Sequence, residues 1–251
     1  MSTAIPEQPP ATGILLREEP SGDPAADLDR GIELLREVAQ GKRGPLLRIY
    51  RPAPTLAFGQ RDTRAPGYEA AAQASRDAGF APLIRKAGGR AMAYHPGSWV
   101  IDHIQPEKDA MLTHQHRFEH FANLFVEVFT RLGVPAAVGE LPGEYCPGEY
   151  SVHGIATGEG RFEKGRKVKL VGTAQRVVQG AWLFSSAVVL EDTEPIAAVT
   201  DSVYKAMDLE LDPNTIGSVQ DLVAEPITHE RFIETLLEVW GEHGYTFDER
   251  G

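Results

Sequence analysis

"RKVKLVGTAQRVVQGAWLFSSAVVL", residues 166–190, reads as two β-strands joined near Gln179–Gly180. Both runs are rich in Val, Leu, Phe and Trp, and a glycine sits where the chain has to reverse. Upstream, "APLIRKAGGRAMAYHPGSWVIDHI" (81–104) reads as strand, tight Gly-Gly turn, strand, turn, strand. "LLRIYRP" (46–52) and "TLAFGQ" (55–60) read as two more short strands. Helical patterns surround these strands. "DLDRGIELLREVAQG" (27–41) spaces Leu28, Ile32, Leu35 and Val38 on one face and stops at Gly41. "GYEAAAQASRDAGF" (67–80) is an alanine-rich helix closing on Gly79. "THQHRFEHFANLFVEVFTRLG" (113–133) is longer, with Phe118, Phe121, Leu124, Phe125, Val128 and Leu132 on its apolar face. "EPIAAVTDSVYKAM" (194–207) and "THERFIETLLEVWGEHG" (228–244) complete the helices, the second capped by Thr228. The sum is an α+β domain: a largely antiparallel sheet with helices packed against it. Residues 1–25, rich in Pro, Ala, Ser and Glu, are expected to form a flexible segment, and 26–251 one domain.

Composition narrows the function. The chain has 251 residues and a formal net charge of −11, which argues against nucleic acid or an anionic membrane as partner. Its single cysteine rules out an internal disulfide. The N-terminal stretch lacks the basic and apolar regions of a secretory signal, and no apolar run approaches the length of a membrane span. A soluble cytoplasmic protein is expected. One basic run, "RFEKGRKVK" (161–169), stands out as either a solvated loop or a docking site for an acidic partner. His116 and His120 are four apart on a helix, but a third ligand and a nearby base are missing, so no metal site is expected.

Three stretches carry possible chemistry. In "RKAGGRA" (85–91) the glycines form a simple hairpin, or they let a ligand approach the main chain beside Arg85 and Lys86. Lys169 in "KLVGTAQR" either faces outward on an alternating strand or stands at a narrow channel that Gly172 and Ala174 leave open. Cys146 in "GEYCPGEYS" (143–151) is either a small buried apolar residue or an accessible thiol in a turn-rich loop, more reactive if a lysine lies near.

Together and in this order, these stretches resemble the lipoate–protein ligase and octanoyltransferase superfamily, which shares its catalytic fold with biotin protein ligase. The similarity is carried by "LRIYRPAPTLAFGQRD", "GYEAAAQASRDAGFAPLIRKAGGRAMAYHPG", "YCPGEYSV" and "GRKVKLVGTAQRVVQGAWLFSSAVVL". Within the superfamily "YCPGEYSV" looks like the cysteine-dependent amidotransferases, which move an octanoyl or lipoyl group from the H protein of the glycine cleavage system to E2 lipoyl domains. The resemblance implies Cys146 as nucleophile and Lys169 as the lysine near the acyl carbonyl. It implies Arg85, Gly88, Gly89 and Ala91 as the substrate-binding loop, His95 beyond it, and Gly172, Thr173, Ala174 and Gln175 along the acyl tunnel. It implies lipoyl carrier proteins as partners and no required cofactor. An ATP-dependent lipoate ligase working through an acyl-adenylate is the alternative, and a non-catalytic binder of carrier domains the third. Two departures weigh against adenylate chemistry: Arg90 replaces the third glycine of the ligase "GGGA", and His95 stands where ligases carry Asp.

Overall fold

The computed structural model describes residues 12–249. The chain opens with β1 (Gly13–Glu18) and α1 (Pro24–Ala39), then β2 (Leu46–Tyr50) and β3 (Thr55–Phe58). α2 (Tyr68–Asp77), β4 (Ala81–Ile84), β5 (Met92–Tyr94) and β6 (Ser98–Pro106) follow. Next come α3 (His114–Arg131), β7 (Ala136–Val138), β8 (Val152–Ile155), β9 (Lys167–Val178) and β10 (Ala181–Val189). α4 (Thr193–Ala206), α5 (His229–Glu242) and β11 (Phe247–Glu249) end the described chain. No helix among the described residues is long and apolar enough to cross a membrane.

The β9–β10 hairpin supplies the fifth and sixth strands of an eight-stranded sheet of order β11-β1-β2-β6-β10-β9-β8-β7. It turns at Gly180, whose φ of 90° suits glycine. Strand alternation gives the sheet two different faces. Leu47, Ile49, Ile101, Trp182 and Phe184 pack under α3 and α5, where Trp240 meets Phe125 with ring centroids 5.2 Å apart. Each such fully buried side chain contributes about 2 kcal/mol. The opposite face packs under α1, which is set by an Asp23 cap accepting from the amides of Ala25 and Ala26. The small sheet, β4-β3-β5, is covered by α2 and α4.

Three expectations change. The stretch 12–25 is not a flexible segment: β1 pairs in parallel with β2 and β11 because its main-chain groups find partners there, while residues 1–11 lie outside the described residues. Gly88–Gly89 is not a tight hairpin turn. β4 and β5 flank β3 on opposite sides, so the glycines lie in a wide loop that spans the end of the small sheet. Lys169 does not face outward. Between Val152 and His153 the register on β9 slips by one, from Val171 to Lys169. This bulge breaks the period of two. It turns Val171 into the core below α3 beside Val168 and Leu170 and puts Gly172 on the other face, where Lys169 already lies by alternation and is covered by the loop of Glu144, Tyr145 and Cys146.

Candidate active site

Cys146 lies in the loop between β7 and β8, with φ at 44°. Left-handed backbone is rare for a residue with a Cβ and costs roughly 1 kcal/mol, so the surroundings have to hold it there. They do so at both ends of the residue. Its N–H donates to the Tyr204 hydroxyl on α4 at 2.6 Å, and that hydroxyl donates to the Ala91 carbonyl at 3.1 Å. Its carbonyl accepts from Lys169 Nζ at 2.7 Å. The thiol is thereby aimed at the Gly-Gly loop. Arg85 Nη2 donates to Sγ at 3.2 Å and the Arg90 amide donates at 3.3 Å. Arg85 itself is tied to the Arg90 carbonyl at 2.6 Å, so guanidinium, loop and thiol form one assembly.

Gly89 makes this approach possible. Its φ is 101°, and a Cβ there would lie 2.2 Å from Arg85 Nη2 and 2.9 Å from Sγ. Gly59 serves the same contact from the neighbouring strand end, where a Cβ would lie 1.9 Å from the Gly89 carbonyl oxygen. Arg90 is held by Asp62 at 3.1 Å, and Asp62 also accepts the Gly59 amide.

Lys169 is fully buried, and burying an ammonium demands compensation. All three of its protons are used: on Glu144 Oε1 at 2.8 Å, on the Tyr145 carbonyl at 3.0 Å and on the Cys146 carbonyl at 2.7 Å. Glu144, equally buried, also accepts from the Leu141 amide and the Ser151 hydroxyl. Sequence reasoning missed Glu144. The available signal was a carboxylate two residues from the one thiol, in a chain whose strand carried a lysine in need of a counter-charge. It also missed Tyr204, whose helix gave no hint of proximity.

Electrostatics favour the thiolate. Burial pushes the Cys146 thiol up, but the charges of Arg85 and Lys169 and the donors of Arg90 and Arg85 outweigh it and hold the thiol below its ordinary value. The thiolate fraction then saturates at lower pH than for a free cysteine. Alkylation of the folded protein by iodoacetamide is expected to rise with pH through an inflection that lies below about 8.5, where a free thiol is half ionised. Arg85→Met is expected to move that inflection upward. A wild-type inflection at or above the free-thiol value contradicts the electrostatics described here.

Two cavities lie near the thiol loop, reached by neighbours of Cys146 and not by Cys146 itself. A narrow slot of about 40 Å³ runs under α1, bordered by Arg85, Tyr94, Gly172 and Ala174. An open groove of about 610 Å³ lies on the other side, bordered by Gly88, Gly89, Pro147, Thr173, Ala174 and Gln175. The four residues expected along one tunnel are therefore divided by strand alternation. Gly172 borders the slot alone, Thr173 and Gln175 border the groove alone and Ala174 borders both, with Gln175 accepting from Arg117 at 2.9 Å. His95 is not brought to the thiol. Its ring is tilted against Phe80, with centroids 6.1 Å apart, and its Nδ1 lies 3.7 Å from Asp192 Oδ2. In the basic run, Arg161 is occupied by Glu194 and Asp221, and Arg166 lies over the Phe162 ring at 3.9 Å. Those two cations are spent within the chain. No group of three or more metal-ligating side chains occurs among the described residues; His116 is exposed, and His120 packs against Tyr245.

Comparison with known proteins places the chain among relatives. The model of the lipoyl protein ligase A/B catalytic domain matches residues 23–241. Among curated proteins it is similar to the octanoyl-[GcvH]:protein N-octanoyltransferase of Exiguobacterium sp., 25% identical over 74% of this chain and 66% of that one. It is also similar to the protein of the same name in Geobacillus kaustophilus, 26% identical over 59% of this chain and 48% of that one. The chain thus spans from about half to two thirds of the length of these relatives. Among solved structures, a lipoate-protein ligase A bound with ATP superposes with a TM-score of 0.72 at 20% identity, covering 95% of this chain and 88% of that one. A putative lipoate protein ligase from T. acidophilum with bound lipoic acid gives 0.69 at 20% identity, over the same shares. These two show the fold, and the α+β lipoate-ligase architecture expected from the sequence is the one observed.

Proposed function

The chain belongs to the lipoyl protein ligase A/B catalytic domain family, and from that footing we propose that it transfers an octanoyl or lipoyl group between lysines of lipoyl carrier proteins through a thioester on Cys146. The observation that carries this reading is the thiol itself. It is buried, held in a left-handed backbone, and met by two hydrogen-bond donors, Arg85 Nη2 and the Arg90 amide.

The steps balance without a co-reactant. The Cys146 thiolate attacks the acyl carbonyl of an acylated carrier lysine, the C–N bond breaks, and the lysine leaves as an amine after taking up a proton. A second carrier's lysine, arriving as the free amine, then attacks the thioester carbonyl and expels the thiolate, losing its own proton. Through both tetrahedral stages the donors beside Sγ are the groups placed to meet an oxyanion. Lys169 is not free to do so in the substrate-free protein, because its three protons are engaged. It acts as a positioning residue for the loop. The slot under α1 takes the acyl chain, and the groove past Gly88 and Pro147 gives the carrier's lysyl arm its way in. The names of the octanoyltransferase relatives support an octanoyl group on the glycine-cleavage H protein as donor. E2 lipoyl domains are the proposed acceptors.

The test is intact mass of the enzyme after incubation with octanoyl–H protein and no ATP. The expected result is an octanoyl adduct that hydroxylamine removes. No adduct, with an acyl-adenylate formed from octanoate and ATP, makes the chain a ligase. Neither product, with carrier binding retained, makes it a non-catalytic carrier binder.

A further inference from the structure

The slot lies on a face of the large sheet whose register can be read across four strands. One row runs Gly172, Ala187, Val100, Tyr50, and the next runs Ala174, Ser185, Asp102, Arg48, each from β9 through β10 and β6 to β2. The β9 end, beside Lys169 and the thiol loop, is small and apolar. The far end is charged. Arg48 is 1% exposed, and its Nη1 donates to Asp102 Oδ2 at 3.1 Å while its Nε donates to Glu18 at 2.5 Å. Ser185 Oγ donates to Asp102 Oδ1 at 2.7 Å. Helix α1 closes over this point at Gly31, where a Cβ would lie 2.8 Å from Asp102 Oδ2. A glycine inside a helix is unfavourable, and here it lets the helix settle on the carboxylate.

The reaction proposed above uses none of these buried charges. We infer that the Arg48–Asp102–Ser185 cluster is the end-stop of the acyl slot and limits the bound chain to about eight carbons. The inference rests on the acyl-transfer reading for its ligand class. Two strand spacings of about 4.8 Å place Asp102 roughly 10 Å across the sheet from the β9 residues. Seven carbon–carbon bonds of about 1.5 Å, foreshortened by their zigzag, reach about 9 Å. An octanoyl chain whose carbonyl lies at the β9 end therefore ends against the cluster, and longer chains press methylenes onto a buried ion pair that cannot rehydrate. At about 40 Å³ the slot has to widen for any chain, by movement of its side chains. The cluster stays, because Arg48 and Asp102 are paired residues of adjacent sheet strands.

The experiment uses the full chain, wild type and the Arg48→Met/Asp102→Leu double variant, and free hexanoate, octanoate, decanoate and dodecanoate. Binding is read by thermal shift and calorimetry, so it does not depend on turnover. Acyl-enzyme formation from the matching acyl N-acetylcysteamine thioesters is read by intact mass. Wild type is expected to lose at least tenfold in affinity and in acylation beyond eight carbons, and the double variant to regain decanoyl and dodecanoyl to within a few-fold of octanoyl. A flat wild-type profile, an unchanged cut-off in a folded double variant, or no acid binding at all overturns the inference. Should the double variant fail to fold, Ser185→Leu takes its place: it shortens the slot and is expected to shift preference to hexanoyl, and an unshifted preference overturns the inference as well. A length-dependent binding profile without any thioester separates failure of the transfer reading from failure of this one.

Discussion

Cys146→Ser is expected to cut acyl transfer by roughly a thousandfold or more while leaving the thermal midpoint within a few degrees of wild type. The size of the loss follows from what surrounds the sulfur. Both hydrogen-bond partners of Sγ among the described residues, Arg85 Nη2 and the Arg90 amide, are donors. Such a site stabilises an anion that already exists and offers nothing to take a proton from a neutral hydroxyl. A thiol held below its ordinary pKa ionises more readily than a free one, whereas a serine in its place stays protonated. The fold survives because the contacts that fix the residue are to its main chain, from Tyr204 and Lys169, and a serine keeps both. The check is steady-state transfer of octanoyl from H protein to an E2 lipoyl domain, together with a melt. A serine variant that turns over within tenfold of wild type removes Cys146 from the chemistry.

The fold was legible wherever local pattern and tertiary packing agree. The β9–β10 pair, the amphipathic α3 and the Thr228-capped α5 form as their spacing requires, because a regular period puts apolar residues on the buried face without outside help. Legibility failed where a long-range contact overrides local pattern. β1 is hidden by its Pro-, Ala-, Ser- and Glu-rich surroundings, although Ile14, Leu15 and Leu16 form an apolar run, and its place in the sheet depends on β2 and β11 bordering it. The Gly-Gly stretch reads as a hairpin until β3 is seen to lie between its two strands. Alternation along β9 puts Lys169 opposite Leu170, as observed, but cannot show that this second face is covered by the loop of Glu144, Tyr145 and Cys146, and the bulge opposite Val152–His153 turns Val171 inward beside Leu170. The site divides the same way. Cys146, Arg85, Gly89 and Lys169 were reached through their motifs. Glu144 and Tyr204, which fix the thiol loop, carry no motif, and their roles depend on elements distant in sequence meeting at one point. The strand alternation that separates Gly172 from Thr173 and Gln175 could have been applied to the sequence directly.

Lys169→Met is expected to lower stability by about 3–5 kcal/mol and to abolish transfer, and the two effects have separable causes. Removing the ammonium leaves Glu144, with a fully buried side chain, facing no cation. At this chain length the loss corresponds to a fall of about 10 °C in melting temperature. Adding Glu144→Gln removes the orphaned charge and keeps one oxygen for the Leu141 amide, while its NH2 takes the place of the oxygen that accepted from Ser151 and donates to that hydroxyl instead, so the double variant is expected to recover most of the lost stability. Transfer is not expected to return with it. Lys169 also holds the carbonyls of Tyr145 and Cys146, and without those bonds the left-handed backbone at Cys146 is free to relax and carry the thiol away from Arg85 and the Arg90 amide. Loss of the lysine charge raises the thiol pKa at the same time, so the inflection of the alkylation profile moves to higher pH in both variants. Melting, transfer and alkylation measured on the three proteins divide the roles. Stability restored with transfer still absent and the inflection still raised makes Lys169 the residue that places the thiol and favours its thiolate. Stability and transfer restored together reduce it to the counter-ion of Glu144.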